Sequence, residues 1–403
     1  MMTEEKQVLI PDVPENEGVR NTLLNFEQLA NIKYTPTAML PQQYGDFDEG
    51  EECTGLIYSS SRIDAGFVPL FISFHTFMTA IQNPHSFLYT VNLGALGNQN
   101  GHTYYGCVCS VGCGYALNFD ANFSTHQWRH LPGMVEIEQD VNLLKLGDTL
   151  CTPEGGHVAM VTGIRRNEKG EAVEVTVSES VNPRVRCRAY DLEGLFKVFP
   201  KDKYSFYRYT KISEVKHTPS PYVPVGGEQL PPVKYNMALI PRKGDKANWL
   251  MDRHVIIDVL NPDDHNKVEI LKDGQPYEII DLKKVLILKK LPAGSYQARL
   301  IGGKEPSDWC WWMVVDAQSS AVSVEDGTKV KVDFSASNAK PIFVAWSNGK
   351  QKGTVHITHP SEEELAAGSA VCTHKPGLYK VRVAFRTEYG VIHSVLSDAF
   401  EIK

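Results

Sequence analysis

Long apolar runs, net positive charge and cysteine are all scarce in this chain. No run approaches the ~20 apolar residues needed to cross a bilayer, so no transmembrane segment is expected. With 41 Lys+Arg against 48 Asp+Glu, a net charge of −7, the composition offers no general reason to expect nucleic acid as a partner. Eight cysteines in 403 residues make no disulfide framework, and Cys107, Cys109 and Cys113 are too crowded to suggest one. Their Cys-x-Cys-x3-Cys spacing lacks a second Cys/His cluster to complete four ligands, so no metal is expected. The opening Met-Met-Thr-Glu-Glu-Lys lacks the basic-then-apolar layout of a secretory signal. The expectation is either a cytoplasmic protein or one that acts in the cell envelope or outside after removal of a signal.

What is present reads as a globular protein, with 42% hydrophobic and 22% charged residues. The length predicts two or three domains. Charge is uneven. Residues 1–210 hold 16 Lys+Arg against 25 Asp+Glu, and the rest 25 against 23. Part of the acidic excess, Asp46 to Glu52, reads as a solvated loop. The clearest boundary is His217–Val233, where five prolines and Gly226-Gly227 interrupt all periodicity.

Before that boundary, helix and strand patterns mix. Ser73 is placed to cap a helix whose Phe74, Phe77, Met78 and Ile81 follow helical spacing, and Asn83-Pro84 stops it. A second helix starts near Cys109 and runs through Tyr115, Ala116 and Leu117. Short strands follow at Thr149–Cys151, His157–Ile164, Val173–Ser178 and Tyr204–Tyr209, a pattern that predicts an α+β fold. Beyond the boundary the chain reads almost entirely as strands. It contains a weak repeat in which Pro292–Leu300 resembles Pro376–Val383, and a Ser-Asp pair follows each copy (Ser307-Asp308, Ser397-Asp398). The repeat predicts two immunoglobulin-like all-β sandwiches, 235–318 and 319–403, behind a Pro-rich linker at 216–234.

Chemistry concentrates before the boundary. A thiol with an ordinary pKa near 8.5 is mostly protonated at neutral pH, and a helix N-terminus or a neighbouring imidazole corrects that. Cys109 falls where its helix should begin, with Gly106 allowing a turn before it. His157 opens an apolar strand directly after Gly155-Gly156, as a general base at a strand mouth would. Ala159 and Val161 would share its face, small enough to leave room for a substrate. A third polar group should orient its other ring nitrogen, and Glu179 is the first choice, with Ser180 and Asn182 as alternatives. Cys107, Cys113, His126, Trp128 and His130 are read as structural. Trp309, Trp311 and Trp312 are what a sugar-stacking surface would need, but their alternation sends at least one set into a core.

The order Tyr-Gly-x-x-Cys-Ser at 105–110, then Ala116-Leu117, Gly147-Asp148 and Gly156-His157-Val158-Ala159, resembles the NlpC-type cysteine peptidases, papain-like hydrolases of bacterial cell-wall peptides. The resemblance is concentrated in 104–180, with looser support out to 55 and 210. It implies that 1–215 is a papain-like catalytic domain with an N-terminal extension at 1–50. It further implies a Cys109–His157 pair with Glu179, no cofactor, and a peptidoglycan or muropeptide substrate cut between D-glutamate and a diamino acid. Gly55 to Arg62 is similar to the family's cleft-lining segment, so Tyr58 and Arg62 are expected to contact substrate, and Tyr104 or Tyr105 to assist. Val108 stands where many members carry an Asp that recognises a free amine, so no requirement for an unblocked stem peptide is implied. The alternatives are an inactive binding protein working through its sandwiches, and an amidase or acyltransferase acting on another amide.

Overall fold

In a computed structural model the described residues are 9–39, 47–58, 74–89, 106–119, 123–220, 222–226, 236–242, 250–324, 328–348, 354–387 and 390–403. The chain divides into two compact units. The first comprises Met1–Tyr34, Glu52–Ser60 and Gly106–Leu230, and the second Thr35–Glu51, Ser61–Tyr105 and Pro231–Lys403. This differs from the single domain expected over 1–215. Within the second unit, the Asn83 side-chain amide donates to the Leu239 carbonyl at 2.9 Å and His85 meets Asp258 at 3.0 Å. These bonds tie the residues around 83–85 to the chain beyond 231, a pairing no local pattern announces.

The first unit begins with β1 (Ile10–Pro11) and α1 (Glu17–Asn31), followed by a ribbon of β2 (Lys33–Tyr34) and β3 (Cys53–Thr54). Asn16 caps α1 by accepting from Val19 N–H at 3.0 Å, with Glu17 favourably placed in its first turn. The helix buries Val19, Thr22, Phe26, Leu29 and Ala30, spaced by three and four. Asn25 and Gln28 are also buried on it, and both find partners. Asn25 donates to the carbonyls of Ala116 and Lys216 and accepts from Thr218 N–H, while Gln28 donates to the Thr218 carbonyl. The start of the expected linker is therefore strapped to α1.

In the second unit α2 (Phe74–Ile81) sits where its spacing predicted, although Ser73 lies outside the described residues. Returning to the first unit, α3 (Cys109–Ala116) and α4 (Thr125–Trp128) precede β4 (Met134–Ile137), β5 (Thr149–Cys151), β6 (Val158–Arg166), β7 (Ala172–Ser180), β8 (Val185–Asp191), α5 (Leu192–Val198) and β9 (Ser205–Tyr209). The sheet runs β4-β9-β5-β6-β7-β8 with every neighbouring pair antiparallel. Leu144, Leu150, Ala159, Val161, Val175, Leu195, Phe199 and Phe206 form its core. Ala159 and Val161 are thus core filling, fully buried, and leave no room for a substrate as had been expected. Trp128 is structural, buried with its indole N–H on Thr149 at 3.0 Å.

The second unit holds two β-sandwiches. The first contains β10 (Met237–Leu239), β11 (Leu250–Met251), β12 (Val255–Val259), β13 (Lys267–Lys272), β14 (Gln275–Asp281), β15 (Val285–Leu288), β16 (Gly294–Ile301) and β17 (Cys310–Val314). They form sheets β10-β12-β15 and β11-β17-β16-β13-β14, whose inward residues meet in one core of Ile257, Leu286, Val268, Tyr296, Leu300 and Trp312. The second contains β18 (Ala317–Val324), β19 (Lys329–Ala336), β20 (Lys340–Asn348), β21 (Thr354–Thr358), α6 (Glu362–Ala367), β22 (Ser369–Thr373), β23 (Gly377–Thr387), β24 (Gly390–His393) and β25 (Phe400–Ile402), in sheets β18-β19-β22 and β21-β20-β23-β24, with β25 on β23.

The two Ser-Asp pairs share a hydrogen-bond device, set two residues apart in the register of the repeat, which matches Leu300 to Val383. Ser307 brackets Leu300 on β16, and Ser397 brackets Val381 on β23. In each, the serine N–H donates to the strand carbonyl, its hydroxyl accepts from the strand N–H, and that hydroxyl donates to the following Asp carbonyl. Trp311 and Trp312 are buried, Trp312 stacked on Tyr296 at 5.3 Å, and Arg299 lies over the Trp309 ring at 4.3 Å.

Candidate active site

Cys109 is the first residue of α3, and Val108, extended at φ −89°, supplies no side-chain cap. The first intrahelical bond runs from Gly112 N–H to the Val108 carbonyl at 3.0 Å, so the opening N–H groups point out of the helix end beside the thiol. Gly106 is needed for a close approach rather than a turn. A Cβ there would sit 2.0 Å from the Ile57 carbonyl oxygen, the same oxygen that accepts Cys107 N–H at 3.2 Å. Gly106→Ala must push these backbones apart. The expected result is a loss of ~1–3 kcal/mol in a denaturant titration, the scale of overpacking, together with slower thiol alkylation because α3 moves.

His157 is presented by a turn in which Gly155 and Gly156 take φ +85° and +136°, which a side chain would resist. The imidazole ring of His126 lies where a Gly155 Cβ would go. The turn is tied down by Thr125, whose hydroxyl accepts Gly156 N–H at 2.9 Å, and by Thr152, which accepts His157 N–H at 3.0 Å. The His157 ring stacks near-parallel on Phe199 at 6.3 Å and meets the edge of Tyr204 at 6.4 Å.

Glu179, on β7, holds His157 Nε2 at 2.8 Å through Oε2. Its other oxygen, Oε1, accepts from Nε of Arg186 and lies 2.8 Å from the Nη2 of that residue, directly opposite on β8. Arg186 escaped the reading of the sequence. The signal was there in the alternation Val185, Arg186, Cys187, Arg188, a hairpin partner returning after Pro183. Ser180 is committed elsewhere, donating to the Cys107 carbonyl at 2.7 Å, and Asn182 makes no bond to His157.

The electrostatics follow from this wiring. Burial works against the His157 imidazolium, but hydrogen bonds to Cys109 and Glu179 and their negative charges carry its pKa up to about 9. Burial likewise opposes Glu179 ionisation, yet the bonds to His157 and Arg186 hold its carboxyl below the ordinary range. The neighbouring thiols lack such help. Burial pushes Cys107 and Cys151 up to about 12 and Cys113 upward, and Cys113 faces the Val158 carbonyl at 3.9 Å.

Tyr58 is half-buried beside this group. Its N–H donates to the Pro183 carbonyl at 2.7 Å and its backbone bridges to Cys107. Burial and then the charges of Cys109 and Cys107 raise its phenol, keeping it protonated. Arg62, Tyr104 and Tyr105 lie outside the described residues. Gly147-Asp148 proves to be scaffold. Asp148 is buried, with its carboxylate taking Arg208 Nε and Nη2 at 2.8 and 2.7 Å and Lys145 N–H at 2.8 Å. Among the described residues, no group of three or more His, Cys, Asp or Glu is placed to hold a metal ion.

No family model matches the chain. No curated protein matches it either. Solved structures similar to it include a two-domain fibronectin type-III segment of chicken tenascin, at 10% identity over 38% of this chain and 94% of that one, with a TM-score of 0.25. The amphioxus IgVJ-C2 molecule is 13% identical over 38% of this chain and 98% of that one, with a TM-score of 0.20. Fibronectin(III)-like modules of Clostridium thermocellum CbhA are 13% identical over 37% and 82%, also at 0.20. Likenesses at these scores carry no argument, and the sandwiches rest on their own sheets.

Proposed function

We propose that this protein is a papain-like cysteine hydrolase of the NlpC type, with Cys109 as nucleophile, His157 as acid and base, and Glu179 as the group that orients His157. The observation that carries the reading is the conjunction of a thiol at an uncapped helix start, an imidazole whose pKa that thiol helps to raise, and a buried ionised carboxylate 2.8 Å from that imidazole's Nε2. With Nε2 engaged by Glu179, the ring has Nδ1 for the thiol.

The Cys109 thiolate attacks an amide carbonyl carbon, and its oxygen gathers negative charge beside the N–H groups that open α3. The carbon–nitrogen bond breaks as the His157 imidazolium gives its proton to the leaving amine, and a thioester remains. His157 then takes a proton from water, whose oxygen attacks the thioester. The carbon–sulfur bond breaks, releasing the acid and restoring the thiolate–imidazolium pair. Tyr58, kept protonated, is a hydroxyl donor beside the reacting carbonyl.

The substrate assignment, an amide of peptidoglycan stem peptides between D-glutamate and a diamino acid, rests on the motif resemblance over 104–180. It is tested by mass spectrometry of purified stem fragments incubated with the native protein and with Cys109→Ala. Fragments that shorten only with the native protein are expected, and the mass lost identifies the bond. Fragments left intact by both proteins would remove stem peptides as the substrate. Cleavage by the variant would remove Cys109 as the nucleophile.

A further inference from the structure

The open end of the second sandwich holds a cavity of about 810 Å³ lined by Asn348, His356, Thr373, His374, Lys375 and Tyr379. Strand register puts it there. Trp346 pairs with His356 on one side and Val381 on the other, and Asn348 pairs with Tyr379 one step further along the same face. Trp346 and Val381 are fully buried, whereas His356 is exposed and Tyr379 half-buried, so the sheet face passes from core to cavity wall at this point. His374, just past the end of β22 in the facing sheet, reaches between them. Its ring centre is 4.5 Å from Tyr379, 5.0 Å from His356 and 5.0 Å from Trp346.

Two features distinguish this place from an ordinary sandwich end. His374 Nδ1 is enclosed and has no hydrogen-bond partner among the described residues. The described lining residues include an ammonium, two imidazoles, a phenol, a hydroxyl and an amide, and no carboxylate. They form an aromatic-walled cavity with convergent donors and the positive charge of Lys375, suited to a ligand with a flat apolar face, several oxygens and a negative charge. Burial and the neighbouring His374 and His359 lower the His356 pKa, which favours the neutral ring as a stacking surface.

We infer that this cavity is a binding site for an acidic sugar, with its carboxylate on Lys375 and its C–H face against His356 and Tyr379. The inference is independent of the hydrolase reading, because none of these residues belongs to the Cys109 site.

The test is isothermal titration of the full chain with N-acetylmuramic acid, N-acetylglucosamine and lactate, repeated with Lys375→Ala. Lys375 is exposed, so this variant should fold normally. Saturable binding of N-acetylmuramic acid is expected, with N-acetylglucosamine and lactate each much weaker. Lys375→Ala should weaken the acidic sugar by roughly tenfold or more, the scale of a charge-assisted hydrogen bond, and leave the neutral sugar unchanged. Cys109→Ala should bind as the native chain does, which separates this site from the hydrolase reading. Equal binding of the neutral sugar, equal binding of lactate, indifference to Lys375→Ala, or no binding would each overturn the proposal.

Discussion

Brief treatment of the native protein with iodoacetamide labels Cys109 first, and Cys109→Ala abolishes that fast phase together with turnover. The expectation follows from what surrounds the thiols. All are free, and seven are buried. Burial holds Cys107, Cys113, Cys151, Cys310 and Cys372 protonated well above neutral pH, so they should not react while the fold is intact. Cys187 is exposed and should label after Cys109. Cys109 alone stands at a helix start beside the imidazole whose pKa it helps to raise. Peptide mapping after a short exposure should therefore place the fast label on Cys109, with Cys187 following. Loss of the nucleophile should reduce turnover by about 10⁴-fold or more, because oxyanion stabilisation and binding remain but the thioester route does not. A fast label on Cys113 or Cys107 instead would move the nucleophile along the helix. Equal slow labelling of Cys109 and Cys187 would mean that the site is not activated.

The parts of this site that were legible in the sequence were those encoded locally. An apolar alternation after two glycines marked the strand that His157 opens, and Thr149–Cys151 emerged with its own bounds because both ends carry turn residues. The third member was legible only as a choice among Glu179, placed first, Ser180 and Asn182. Period two sends Glu179 and Ser180 to opposite faces of β7, and only the position of His157 decides which face matters. The helix α1 was hidden because Thr22, Asn25 and Gln28 interrupt its apolar stripe. Asn25 and Gln28 are buried on bonds to α3 and to 216–218, distant in sequence, and Thr22 on a bond back to the Gly18 carbonyl. Arg186 was hidden because a polar edge strand lacks the hydrophobic signal that marks central strands. The assignment of residues 35–51 and 61–105 to the second unit is similarly non-local. Its visible ties, Asn83 to Leu239 and His85 to Asp258, join residues more than 150 positions apart.

Glu179→Gln and Arg186→Met should move the titration of His157 in opposite directions, and this pair separates orientation of the base from simple packing. In the native protein Glu179 adds both a hydrogen bond and a negative charge that favour the imidazolium, so the amide should lower the His157 pKa from about 9. Arg186 acts the other way. It occupies Oε1 and spends part of the carboxylate's charge, so its removal should leave Glu179 a stronger partner and raise His157 further. Ring-labelled histidine observed by NMR, with His157 assigned from His157→Ala, reads this without a substrate. Turnover of Glu179→Gln should fall by roughly 10²–10⁴-fold, with its alkaline limb shifted to lower pH, because the acid that serves the leaving amine deprotonates earlier. Stability follows the same wiring. The His157 contribution is complete below its unfolded value of 6.5 and is lost as pH rises through about 9. That of Glu179, whose pKa is lowered, is complete above 4.5 and lost as pH falls through the folded value. The native protein should therefore be more stable relative to Glu179→Gln between about 4.5 and 6.5 than at either extreme. If both variants lose activity while the His157 titration stays where it was, the carboxylate and guanidinium are packing elements and do not tune the base.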